Sequence, residues 1–275
     1  MQHTLEDGTI IRPLSSAADY AACIALQHLT WGDDFSERVP ASILMVCQKI
    51  GGVAAGAFAA DGSLAGFVFA LAGLHQGRPV GWSDMLAVHP QFRDRGLGLE
   101  LKKYQRRAFL ANGIDTILWT FDPLEARNAH LNINKLGAEP EAYLRDVYAL
   151  SDSTLHQGIG TDRLQLAWRL RSSRAEKALA GVGPDIPEGA AQAPVFKGSP
   201  QLPAEAGAWL RIAVPEDIQR VKAQDLHAAR LWRAETRAAF EAAFAAGYRV
   251  AGFFRSEPDK LCYYVLARAG EEAGE

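Results

Sequence analysis

Residues 85–113 read MLAVHPQFRDRGLGLELKKYQRRAFLANG. An apolar run ends at Val88, Pro90 stops any ladder, and Arg93-x-x-Gly96-x-Gly98 leads into a stretch with helical spacing that Gly113 closes. Strand, glycine turn and helix in this order call for an α/β arrangement in which a strand's end meets a helix's N-terminus. Such a junction suits an anion. The first-turn amides have no intrahelical acceptor, and the helix dipole adds partial positive charge. Glycine lets a ligand approach the backbone closely, and Arg93 and Arg95 can add charge-assisted bonds. The spacing is not that of a P-loop, since no Gly-Lys-Ser/Thr follows. It is not the Gly-x-Gly-x-x-Gly dinucleotide fingerprint either.

The rest of the chain supplies matching elements. A strand at TIIRPLSS precedes two helices, AADYAACIALQHLTWG and PASILMVCQKIGG. Two apolar runs around Asp61-Gly62 read as a hairpin, and VGWSDMLAVHP as the strand before the glycine turn. After the helix come a strand at DTILWTFDP, a helix at EARNAHLNINKLGA and closing strands at RDVYAL and DRLQLAWRL. The order β, α, α, β, β, β, α, β, α, β, β predicts an α/β fold, a mixed sheet with helices on its faces. Residues 1–170 form the predicted main domain. Residues 171–207, rich in Ala, Gly and Pro, read as a linker or as irregular surface chain. Residues 208–275 read as a strand, a mostly helical stretch and a hairpin, with Trp232, Phe240 and Phe244 marking the helix's buried face. A core that small is marginal alone, so this module is expected to dock on the first domain.

Composition excludes several classes. With 275 residues, 48% hydrophobic and 22% charged, the chain reads as an ordinary globular protein. A net charge of −3 argues against a nucleic-acid partner. The cysteines, Cys23, Cys47 and Cys262, are few, odd in number and far apart, which fits free thiols in a reducing cytoplasm. Neither Cys-x-x-Cys nor His-x-x-x-His occurs, so no metal is expected. The first residues do not read as a signal peptide, and no apolar run is long enough to span a membrane.

Arg93-x-x-Gly96-x-Gly98, preceded by MLAVHP and followed by an amphipathic helix, resembles motif A of the GNAT acyltransferases. Lys135-Leu136-Gly137 closes a second helix that is similar to the family's next one. The resemblance covers roughly the first 170 residues. It implies a splayed sheet and acetyl-CoA or another acyl-CoA as co-substrate. The pyrophosphate would rest on the amides of Asp94, Arg95, Gly96, Leu97, Gly98 and Leu99, beside Arg93. The pantetheine arm would pair with the strand holding Leu86 and Val88, and the thioester would lie between two parting parallel strands, 82–88 and 116–122. A backbone N–H near Leu86 would then face the thioester carbonyl and stabilise its oxyanion. A longer subgroup that the chain resembles carries WTFDPL, NKLGA, TDR and Trp232-Arg233…Thr236-Arg237…Phe240. Its members look like amino-acid N-acyltransferases, some using succinyl-CoA.

The chain departs from the family where many members have a tyrosine that protonates the departing thiolate. Ile133 stands there and donates nothing. Asn128 and Asn132, one helical turn apart, could instead bond pantetheine amides, or simply form a polar face. Asp84 and Asp122 are the candidate bases, Asp84 being preferred because an acid inside an apolar strand needs a partner or a function; Asp122 also reads as a turn or cap. His89 reads as structural. For the acceptor, Trp31 lies in the connection LTWGDDF, and Arg163, Arg233 and Arg237 could clamp a carboxylate, surface ion pairs and a solvated stripe being the plain alternatives.

These readings predict an acyltransferase, acetyl-CoA- or succinyl-CoA-dependent, acting on a small-molecule amine, an amino acid being the best guess, by direct attack in a ternary complex. Two other readings stay open, a silent acyl-CoA-binding module and a protein N-acetyltransferase. A homodimer is left open.

Overall fold

Residues 53–58 and 64–70 are small or apolar throughout, and 10–13 are apolar but for Arg12; they form strands whose inner residues are almost wholly buried. The computed structural model describes residues 2–148, 158–198, 202 and 206–268. These pack as two units, one up to Trp119 and the other from Thr120 onward.

The first unit holds β1 (His3–Thr4), β2 (Ile10–Pro13), β3 (Val53–Phe58), β4 (Leu64–His75), β5 (Arg78–Val88) and β6 (Thr116–Phe121), the last as far as Trp119. They lie in the order β1-β2-β3-β4-β5-β6. Pairing is antiparallel through β5 and parallel between β5 and β6, so the sheet is mixed. The helices are α1 (Ala17–Trp31), α2 (Ala41–Lys49) and α3 (Leu97–Ala111). Ser16 caps α1 in a reciprocal box with Asp19. Arg12 bonds Asp19 at 2.6 Å and holds its carboxyl well below the usual range.

Helices cover both faces of this sheet. Phe67, Phe69, Met85 and Ala87 share one buried cluster with Tyr20, Cys23 and Leu26 of α1 and with Leu44 and Cys47 of α2. On the other face α3 comes close at Gly81, where a Cβ would lie 2.8 Å from the Phe109 ring.

The second unit starts with α4 (Ala126–Ala129), which passes into a π-helical turn at His130–Lys135. Strands β7 (Glu139–Leu144) and β8 (Arg163–Arg169) pair antiparallel. Then come α5 (Ser173–Leu179), α6 (Glu188–Ala191), β9 (Val195–Phe196), β10 (Trp209–Pro215), α7 (Ile218–Gln224), α8 (Leu226–Ala245), β11 (Tyr248–Ser256) and β12 (Leu261–Arg268). A four-stranded sheet runs β11-β12-β10-β9. Phe240 of α8 stacks on Tyr143 of β7 at 5.6 Å, and the Tyr264 hydroxyl donates to the Pro123 carbonyl at 2.7 Å.

Three sequence expectations change. The closing strand read at 145–150 lies instead at Glu139–Leu144; Arg145–Tyr148 turn, with Asp146 at φ +45°, and residues 149–150 fall outside the described residues. The stretch read as linker carries α5, α6 and β9, and β9 pairs with β10. Its alanines are helix formers, and Ala175, Ala178 and Ala190 are buried. On α8 the fully buried side is Ala229, Arg233, Thr236, Ala239, Phe240 and Ala243, while Trp232 and Phe244 are only partly buried.

Candidate active site

The β4–β5 ladder slips once. Phe69 pairs with Met85 and Ala70 with Ser83, so Asp84 is an extra residue, a β-bulge. The bulge changes which way β5 faces. Ser83 lies towards α3, whereas Met85 joins the cluster with α1 and α2. Asp84, between them, is solvent-exposed. Burial by the surrounding chain raises its carboxyl pKa, a hydrogen bond from Trp82 opposes this, and Glu37 adds to the rise. Access to water limits the size of that rise.

The parallel contact between β5 and β6 stops early. Gly81 pairs with Ile117 and Trp82 with Leu118, while β5 runs on to Val88. The next residues, Ser83 and Trp119, stand where the strands part. Leu86 and Val88, named from the sequence, lie on this stretch of β5 and pair on its other side with Val68 and Gly66.

Beyond Val88 the chain makes a short 3-10 turn, Pro90–Phe92, in which His89 accepts from the Gln91 amide at 3.4 Å and meets the Phe92 ring edge-on, a structural role. Arg93 Nε donates to the Val88 carbonyl at 3.3 Å, tying the turn to the strand end. Asp94 and Gly96 have positive φ, +62° and +74°. Gly96 caps α3, and its carbonyl accepts from Leu99 and Glu100. The amides of Leu97 and Gly98, first in the helix, have no intrahelical acceptor by geometry. A Cβ built on Gly96 would meet nothing within 4 Å. The turn is therefore an open backbone cradle, flanked by the exposed Arg93 and Arg95, with the Arg95 guanidinium over Phe92 at 5.4 Å. A phosphate group fits the amides, the dipole and the two guanidinium groups.

A residue the sequence did not mark lies beneath this junction. Lys102 of α3 is only 3% exposed. Its Nζ donates to Ser83 Oγ at 2.7 Å and to Gln105 Oε1 at 3.3 Å, and sits 4.1 Å from the centre of the Trp119 ring. Gln105 Nε2 also donates to Ser83 Oγ, at 3.1 Å. Among the described residues no carboxylate pairs with Lys102, and burial alone pushes its pKa down to about 7. The sequence showed it as one of two adjacent lysines on an amphipathic helix. The available signal was the i, i+4 row Leu101–Gln105–Phe109, which all lies inside and has Lys102 beside it.

Trp31 ends α1, where it stacks on Phe35 at 5.8 Å and meets Phe67 edge-on at 6.3 Å. It helps shape the α1–α2 connection, the segment that also carries Glu37.

The remaining candidates belong to the second unit. Asp122 is buried; it accepts from Arg233 Nη2 at 2.5 Å and from the Leu124 amide at 2.8 Å, and Arg163 Nη1 lies 3.9 Å away. Arg163 sits over the Tyr148 ring at 5.0 Å. Arg237 grips Asp162 with both Nε and Nη2, at 2.7 and 2.5 Å, and also reaches Asp146 at 3.1 Å. Burial works against the charge on Asp162, but hydrogen bonds from Arg237, Tyr143 and the Asp146 amide outweigh it and hold the carboxyl below its ordinary value. The three arginines named for carboxylate recognition are thus held by the protein's own aspartates or buried beside them. Asn128 and Asn132 do not share a face. The π turn adds about one residue per turn, leaving Asn128 exposed and Asn132 buried. Ile133 is 1% exposed and offers no donor. Among the described residues no cluster of metal-ligating side chains occurs, and no helix is long and apolar enough to cross a membrane.

No protein-family model matches the chain, and no curated protein matches it. Solved structures do. An acetyltransferase of the GNAT family from Streptococcus pneumoniae is similar over 58% of this chain and 97% of its own, at 18% identity and a TM-score of 0.47. A GNAT superfamily phosphinothricin acetyltransferase from Sinorhizobium meliloti, in complex with acetyl-CoA, is similar over 58% of this chain and 86% of its own, at 16% identity and a TM-score of 0.47. The ribosomal-protein-S18-alanine N-acetyltransferase from Escherichia coli covers 60% of this chain with 96% of its own, at 16% identity and a TM-score of 0.44. Likenesses of this degree say nothing about activity, which must be argued from the chain's own residues.

Proposed function

We propose that the chain is an acyl-CoA-dependent N-acyltransferase that acts on a small amine by direct attack. The observation that supports this reading is one junction. A bulged strand parts from its parallel neighbour at Trp82 and Leu118, and beyond its far end Gly96 opens a helix with no neighbour in reach of a Cβ. A phosphate anchor and an unzipped strand edge suit a long donor with an anionic end and an amide-rich arm. The backbone of 84–88 then bonds the arm, Asp94–Leu99 hold the pyrophosphate, and an N–H near Leu86 serves the oxyanion.

Asp84 is the base in this reading. It is exposed at the bulge, and Glu37 adds negative charge to its surroundings, which favours the approach of a cationic amine. Asp122, buried and bonded by Arg233 and the Leu124 amide, is the weaker choice. The acyl chain is acetyl or succinyl, the acceptor an amino acid, and the site of action the cytoplasm. Ile133 supports a second reading, a binder that does not turn over, since the buried isoleucine cannot protonate a leaving thiolate.

Free-thiol release from acetyl-CoA and succinyl-CoA against a panel of amines separates the two readings. Turnover with at least one amine supports the enzyme; tight donor binding with no turnover across the panel supports the binder. Asp84→Asn should lower kcat about 10²-fold or more while changing donor Kd little. An equal loss in both would remove Asp84 as the base.

A further inference from the structure

We propose that Lys102 and Ser83 form a charge-assisted donor pair at the parting of β5 and β6, in which the Ser83 hydroxyl donates to the negative charge that develops during acyl transfer. The proposal rests on the acyl-CoA reading and deepens it.

Three groups surround Lys102 Nζ: the Ser83 hydroxyl oxygen, the Gln105 carbonyl oxygen and the face of Trp119. All three accept. An ammonium has three N–H groups to match them, whereas a neutral amine would turn a lone pair towards one acceptor. The three acceptors therefore match the charged form, while burial works against it. Ser83 Oγ accepts twice, from Lys102 and from Gln105, so its own O–H must point elsewhere. Among the described residues no hydrogen bond takes that hydrogen. Its oxygen bonds a cation, which makes the O–H a stronger donor.

The position gives this donor a purpose. Ser83 and Trp119 are the first residues past the last paired ones, Trp82 and Leu118. A buried cation without a counter-ion is costly in a resting protein. It becomes favourable when an anion forms nearby in a poorly solvated gap. In transfer, the amine nitrogen bonds to the thioester carbonyl carbon and the C–S bond breaks, with its electron pair leaving on sulfur. The amine proton passes to Asp84 or water, and Lys102 keeps its own proton. Lys102 is thus a positioning residue that acts through Ser83, and the pair supplies at the thiolate what Ile133 cannot.

Few other charges bear on Lys102. Strands β3 and β4 carry no ionisable residue before His75, and β6 carries none. Strand β5 contributes Asp84, one residue from Ser83, and Arg78 at its far end; α3 contributes Glu100, Lys103, Tyr104, Arg106 and Arg107. Burial is what lowers the Lys102 pKa.

The test reads the thiol of bound coenzyme A by its ultraviolet thiolate absorbance across pH, with Kd measured by calorimetry. Bound to the unaltered protein, the thiol should titrate roughly one pH unit or more below free coenzyme A. With Lys102→Met it should return to the free value while Kd changes less than about threefold, and Lys102→Arg should retain part of the shift. Ser83→Ala should also raise the thiol pKa, and both Lys102→Met and Ser83→Ala should lower kcat. Lys102→Gln serves as a second neutral variant if the methionine protein does not fold. An identical thiol pKa in the unaltered and neutral-variant proteins overturns the proposal. If the unaltered protein binds no coenzyme A, the acyl-CoA reading fails, and this inference fails with it.

Discussion

The two units use buried positive charge in opposite ways. In the second unit Arg233 is matched to Asp122, and Arg237 to Asp162 and Asp146. In the first unit Lys102 is more deeply buried than Arg237 and meets only neutral acceptors. Paired charges fix a structure, because removing either partner strands the other. A charge held without an anion is poised to interact with one that arrives. The difference separates what holds the second unit together from what the first unit offers to an arriving anion.

The sharpest way to break that comparison is to unpair the second unit. Asp122→Asn leaves Arg233 charged, 4% exposed and already lacking a partner at Nη1. The expected loss is about 3–5 kcal/mol of stability, read from denaturant unfolding. A change within a few tenths of a kcal/mol would mean that the Asp122–Arg233 pair is not holding the unit.

Lys102 should behave in the reverse sense. Its pKa falls from an unfolded value of 10.5 to about 7 in the folded chain. Between those values the unfolded state binds the proton more readily, so stability rises with pH. The slope is at most about 1.4 kcal/mol per pH unit. Below the folded pKa both states are protonated and above the unfolded one both are neutral, so the rise ends at each limit. Lys102→Met should abolish the rise and leave the protein at least as stable at neutral pH, since an unpaired buried amine gives way to an apolar chain of similar reach. A rise that persists in the variant would assign it to another group.

Much of the first unit was legible in the sequence because its signals are local. Pro90, Gly96, Gly98 and Gly113 mark the strand end, the turn and both ends of α3, and the order of strands and helices followed from apolar spacing. The bulge at Asp84 was not legible, since it depends on how β5 registers against β4. The Lys102 cradle was hidden for a similar reason: Lys102 lies at the edge of the buried face of α3, beside Leu101 and Gln105, and only tertiary packing decides that a lysine there lies inside. In the second unit the π turn displaced Asn128 from Asn132, and the spacing of Arg233 and Arg237 looked like a surface stripe because their aspartate partners lie 75 to 111 residues away in sequence.

The glycine turn provides a test of intermediate size. Gly96→Ala meets no atom within 4 Å but must hold φ near +74°. The strain should cost about 1 kcal/mol, and a methyl group in the cradle should weaken coenzyme A binding at least about tenfold, or roughly 1.4 kcal/mol. Weakened stability with unchanged affinity would move the phosphate elsewhere and detach the open turn from the function.

The finest adjustment is to the cradle itself. Ser83→Ala removes the nearest acceptor of Lys102, the hydroxyl at 2.7 Å, and leaves Gln105 and the Trp119 ring in place. The charged form of Lys102 loses support while the neutral form loses little, so its folded pKa should fall further, by about half to one unit. The rise of stability with pH would then begin lower and climb further before ending at the same upper limit. Followed by unfolding midpoints at closely spaced pH values, the onset separates two cases. A downward shift means that the hydroxyl feels the ammonium, as a polarised donor must. An onset that stays put means that Ser83 and Lys102 are neighbours without electrical contact, and the first unit's unpaired charge would then lack its link to the strand edge where transfer is placed.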